Sequence, residues 1–131
     1  MGTIETSIDY EIALTIHTVK GQVTAEEIVR KIEEYYSGET TMLAIWDFSE
    51  ASVVKLSAEE VRSILPVARK FAETRKGGKS ALVFSTDSEY GLGRMFETFT
   101  ELDAFPVEIR SFRSMKDAME WLGITPLEST A

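Results

Sequence analysis

Apolar residues recur along this chain in two rhythms, and the change from one to the other outlines a fold. Ile12, Leu14 and Ile16 fall on one face of residues 12–19, and Ala13, Thr15 and His17 on the other. A period of two marks a strand. Residues 3–8 alternate more weakly, so an antiparallel pair turning near Asp9-Tyr10-Glu11 is expected, with Gly21 ending the unit. Met42-Leu43-Ala44-Ile45-Trp46-Asp47-Phe48 and Ser80-Ala81-Leu82-Val83-Phe84-Ser85 are nearly continuous apolar runs. They are too short for helices and read as strands buried on both faces. Val107, Ile109 and Phe112 alternate again and predict a last strand.

Helical spacing fills the intervals. Thr24-Ala25-Glu26-Glu27 and Ser57-Ala58-Glu59-Glu60 fit capping boxes, in which hydroxyl and carboxylate exchange hydrogen bonds with backbone N–H groups. The first opens a helix to about residue 37 with Ile28, Val29, Ile32, Tyr35 and Tyr36 on one stripe, stopped by Gly38. The second opens a longer helix to about residue 75, with Val61, Ile64, Leu65, Ala68, Phe71 and Ala72 inward and Pro66 expected to kink it. A third helix, capped by Asp87 or Ser88, carries Leu92, Met95, Phe96, Phe99 and Leu102, and Pro106 stops it. Ser114 caps a fourth, which ends before Gly123. The order is ββαβαβαβα. It implies an α/β fold: a mostly parallel sheet with right-handed crossovers and one antiparallel strand, flanked by helices.

Composition narrows the function classes. A chain of 131 residues, 44% hydrophobic and 27% charged, suits a single domain, with its core over about 3–123. The net charge of −8 opposes nucleic acid and anionic membranes. Zero cysteines exclude disulfides and thiolate chemistry. With no long apolar run and no basic leader at the start, a cytoplasmic protein without a membrane span is expected.

Ligands of open α/β sheets favour the loops after the carboxyl ends of strands, here residues 47–56, 85–91 and 112–114. Asp47 closes an apolar strand, and its simplest role is to accept hydrogen bonds from the next loop's backbone. A catalytic or metal role would need a second carboxylate or a histidine on a neighbouring strand end, and Asp87 is the obvious partner. His17, the single histidine, lies on the strand face that reads as exposed and is expected to be a cross-strand neighbour. No G-x-S-x-G elbow or P-loop occurs. Tyr90-Gly91-Leu92-Gly93-Arg94-Met95 lacks the third glycine of a dinucleotide fingerprint, and its glycines suit close helix approach. Arg69, Lys70, Arg75, Lys76 and Lys79 cluster where they would complement a helix dipole, the alternative being a site for an anion or an acidic partner. Tyr90, Met95 and Trp121 suit either an apolar pocket or, with Leu122, a homodimer face.

Three stretches resemble the SpoIIAA-like group of small bacterial proteins, related in fold to STAS domains and more distantly to lipid-binding CRAL-TRIO domains. They are Gly21-Gln22-Val23-Thr24-Ala25-Glu26-Glu27, Ile45-Trp46-Asp47-Phe48 and Tyr90-Gly91-Leu92-Gly93-Arg94-Met95-Phe96. The resemblance implies a phospho-acceptor serine where the loop past the central strand enters its helix, and Ser57 is the hydroxyl there. Lys55-Leu56 stands where the family has aspartate before that serine, and Ala58 replaces a glycine. The resulting expectation is a non-enzymatic regulatory or protein-binding module, without cofactor or metal. Its partner surface would include Asp47, Ser49, Ser52, Ser57, Asp87, Tyr90 and Arg94. The alternative is a carrier holding a small apolar or lipid-like ligand between helices and sheet.

Overall fold

The computed structural model describes residues 2–53 and 55–124. Strands β1 (Thr3–Asp9) and β2 (Leu14–Gln22) form the antiparallel pair, followed by α1 (Ala25–Tyr36), β3 (Leu43–Ser52) and α2 (Ala58–Ala72). A 3₁₀ turn, Glu73–Arg75, leads to β4 (Lys79–Val83), α3 (Asp87–Leu102), β5 (Glu108–Phe112) and α4 (Met115–Leu122). The order ββαβαβαβα is the predicted one.

The strands lie in the order β1-β2-β3-β4-β5, with every pair after the first parallel. Each parallel step moves one strand further in the same direction, so crossovers of one hand place α1, α2 and α3 on one face. On that face Val19, Phe48, Leu82 and Phe84 pack against Ile28, Ile32 and Ile64. On the other face α4 presses Ala118 and Leu122 onto Leu14, Ile45, Ala81 and Val83. The central strands therefore need apolar residues on both faces, which explains their unbroken apolar runs.

The β1–β2 turn departs from the predicted strand. Ala13 has a φ of 53°, a left-handed conformation incompatible with pairing, and Ile12 is exposed in the turn rather than inside. The face of β2 that reads as exposed is buried as well, so both faces of the strand are covered. Thr15 and His17 are wholly buried under α1, whereas Ile16 is only half-buried. Hydrogen bonds make this possible for Thr15. The Thr41 N–H donates to the Tyr35 hydroxyl at 3.1 Å, Tyr35 donates to Thr15 Oγ1 at 3.3 Å, and Thr15 and Thr41 hydroxyls meet at 2.7 Å. Thr41 Oγ1 then donates to the Leu43 carbonyl at 2.6 Å.

His17 is the cross-strand neighbour of Thr6, whose hydroxyl lies 2.8 Å from Nδ1, but it is not exposed. Its ring sits between Tyr35 and Trp46, with centroids at 4.7 and 4.2 Å, and Nε2 has no partner among the described residues. Burial first, then the charges of Lys31 and Arg75, lower its pKa from 6.5 to about 3. The imidazole is neutral in the fold.

α3 is capped by Thr86, not by Asp87 or Ser88. The Thr86 hydroxyl accepts from the Glu89 N–H at 3.2 Å. Gly93 explains how this helix approaches the sheet, because a Cβ there would collide with the Phe84 ring and Ser111 Oγ. Gly91 faces open space and has no such task. The capping boxes of α1 and α2 form as predicted, with the Ser57 hydroxyl accepting from the Glu60 N–H at 3.1 Å and the Glu60 carboxylate from the Ser57 N–H at 3.0 Å. α2 continues through Pro66 to Ala72.

Two outcomes follow from these placements. Above pH 6.5 His17 is neutral both folded and unfolded; below it, only the unfolded chain gains the proton until about pH 3. Urea unfolding should therefore show wild type losing about 2 kcal/mol more than His17→Gln between pH 7 and pH 5. Equal losses would mean that His17 does not carry this pH dependence. Ser57→Ala should cost about 0.5–2 kcal/mol and Ser57→Asp almost nothing, because aspartate caps as well as serine. Thermal unfolding of the two variants checks that order.

Candidate functional site

The carboxyl edge of the sheet gathers most of the sequence-predicted residues, though not into one cluster. β3 runs to Ser52, past the expected end at Phe48, because Glu50, Ala51 and Ser52 pair with Lys20, Gly21 and Gln22. Asp47 is thus inside the strand. Between the pairs Thr18–Asp47 and Lys20–Glu50, β2 advances two residues and β3 three, which marks a bulge in β3. The extra residue frees a backbone N–H, and the Asp47 carboxylate accepts it from Ser49 at 3.0 Å. The expected role of Asp47, a backbone acceptor, is right in kind, but the N–H it serves belongs to its own strand. By alternation its side chain shares the α4 face with Ile45, away from α2 and α3.

Glu89 was missed in the sequence. It is 5% exposed and ties the β3–α2 junction to the third helix. Its Oε2 accepts from the Val53 N–H at 2.8 Å, and its Oε1 accepts from the Thr86 hydroxyl at 2.9 Å. Its signal in the sequence is Thr86-x-x-Glu89, a capping pattern that begins one residue before Asp87. Ser49 and Ser52 are half-buried in β3, and Ser57 is exposed at the start of α2.

Asp87 belongs to a second group. Its carboxylate pairs with the Arg113 guanidinium, which also donates to the Ser85 carbonyl at 2.9 Å and so ties β5 to β4. Asp47 and Asp87 thus have separate structural partners, the Ser49 N–H and the Arg113 guanidinium. Among the described residues, no three His, Asp or Glu side chains converge as a metal site. Tyr90 and Arg94 lie further along α3, their hydroxyl and guanidinium 3.5 Å apart, with Arg94 3.8 Å from Glu97. Both neighbours favour the charged guanidinium, and the pKa of Arg94 is raised, chiefly by the Tyr90 hydrogen bond. Glu97 is buried and accepts from the Ser111 N–H at 2.7 Å, covering part of the free edge of β5.

The residues that suggested a dimer face do not form one patch. Leu122 is buried against the sheet, Trp121 packs beside Phe112, and Tyr90 packs on the opposite side. The basic cluster also divides. Arg75 is 3% exposed, Lys79 lies over the Trp121 ring at 5.0 Å, and Arg69 pairs with Asp103 at 2.8 Å. Between α1, α2, α3 and the sheet lies a cavity of about 120 Å³, bounded by Trp46, Phe48, Phe84 and Phe96 among others.

Among the described residues, no helix is long and apolar enough to cross a membrane. No family model matches the sequence, and no curated protein matches it. Solved structures do. An uncharacterised DUF3478-family protein with a SpoIIAA-like fold from Shewanella loihica superposes with a TM-score of 0.58 at 20% identity, over 92% of this chain and 93% of that one. An anti-sigma factor antagonist from Mycobacterium paratuberculosis gives 0.59 at 15% identity, over 94% and 95%. With its five-stranded mixed sheet and ββαβαβαβα order, the chain has the SpoIIAA-like fold.

Proposed function

We propose that this chain is a non-enzymatic protein-binding module whose recognition surface is the β3–α2 junction around Ser52, Lys55 and Ser57. The observation that carries this reading is the bond from the Val53 N–H to the buried Glu89 carboxylate. Val53, held from a neighbouring helix, keeps its place before any partner arrives, which lowers the ordering cost of binding beside it. The fold likeness to an anti-sigma factor antagonist supports a protein as the kind of partner. Glu50 and Glu59 are exposed beside the junction, so a basic partner face complements it. With Asp47 engaged by Ser49 and Asp87 by Arg113, both carboxylates serve structure in this reading.

A photo-crosslinking residue in place of Lys55 should capture one protein reproducibly. The same residue in place of Lys116, on α4, should not capture it, and Glu50→Lys with Glu59→Lys should abolish capture. Identical captures from both positions would overturn the proposal. Independently, Glu89→Ala leaves the Val53 N–H without its acceptor and should cost about 1–3 kcal/mol. Amide exchange at Val53 should accelerate. Unchanged exchange would mean that Glu89 does not hold the junction.

A further inference from the structure

The cavity beneath the three helices has a polar end whose chemistry differs sharply from its walls. Phe48 stacks on Phe84 with centroids 5.2 Å apart, and Trp46 stacks on Phe48 at 6.0 Å. At the polar end stand Tyr36, Arg75 and Ser80. Arg75 Nη1 donates to the Tyr36 hydroxyl at 3.3 Å and to Ser80 Oγ at 2.9 Å. Having accepted, each hydroxyl keeps its own proton to donate, and neither proton finds an acceptor among the described residues. No carboxylate lies within ion-pair distance of Arg75 among those residues either. This end therefore combines a buried positive charge with two unspent O–H donors. Its field is felt nearby, since Arg75 and Lys31 both oppose a proton on His17.

We propose that the cavity binds a small monocarboxylate with an apolar body, its ring or short chain lying among the aromatic walls. Its carboxylate would accept hydrogen bonds from Tyr36 and Ser80 beside Arg75. Charge-assisted hydrogen bonds of this kind are about twice as strong as neutral ones. A neutral hydrocarbon would fill the space but leave the buried charge and both donors unanswered. Size sets the class: an apolar cavity of ~150 Å³ accepts benzene, so the body here is about one ring. The site lies inside the domain, and the proposal stands or falls separately from the protein-binding reading.

Benzoate is the probe. Titrated into the full chain, it should shift the indole N–H resonance of Trp46 saturably while that of Trp121, on the other sheet face, stays still. Tyr36→Phe combined with Ser80→Ala should weaken benzoate about tenfold or more, whereas toluene should bind both proteins alike. If the double variant does not fold, Tyr36→Phe alone removes one hydroxyl and should weaken benzoate by about threefold or more. A still Trp46 resonance up to the solubility of benzoate would overturn the proposal. So would equal benzoate affinity in wild type and in the folded variant.

Discussion

A single buried guanidinium holds the amino-terminal side of this fold together. Arg75 donates from Nε to the Thr41 carbonyl at 2.6 Å and from Nη2 to the Met42 and Lys79 carbonyls at 3.0 and 3.1 Å. Nη1 reaches the hydroxyls of Tyr36 and Ser80. Every N–H of the side chain is therefore engaged, and the planar fork fixes the entry to β3, the start of β4 and the end of α1 together. Burying a charge without a counter-charge is costly, and only this complete set of acceptors makes it tolerable. The same arrangement leaves a positive field inside the protein, and His17 stays neutral within it.

The carboxyl side is held by the opposite charge. α3 carries two buried glutamates, and each accepts a backbone N–H that the sheet leaves free: Glu89 from Val53 and Glu97 from Ser111. Gly93, between them in sequence, allows the helix close enough for both to reach. α3 thus does more than cover the sheet. It anchors Val53 after β3 and closes part of the edge of β5.

These two ends give the molecule distinct chemical faces. Exposed Glu50 and Glu59 flank the junction after β3, while the cavity is apolar with a cationic end. Aromatic stacking from Trp46 through Phe48 to Phe84 runs through the core between them. The β3 bulge, satisfied by Asp47, takes up one extra residue before β3 resumes its pairing with β2 and carries Ser52 out to the junction.

Periodicity and capping residues determined the element order and the caps at Thr24, Ser57 and Ser114, because these depend on residues near one another in the chain. The parallel sheet with one antiparallel strand followed from that order. The resemblance carried by three short stretches pointed to the SpoIIAA-like fold that the solved structures share. The burial of Thr15 and His17 was illegible, since alternation assigns faces by polarity and cannot see Tyr35 or Thr6 arriving as partners. Arg75 read as a solvated helix end, and Glu89 did not stand out at all. Their acceptors and donors lie up to 39 residues away, so only the tertiary structure could turn two surface-looking charges into buried braces.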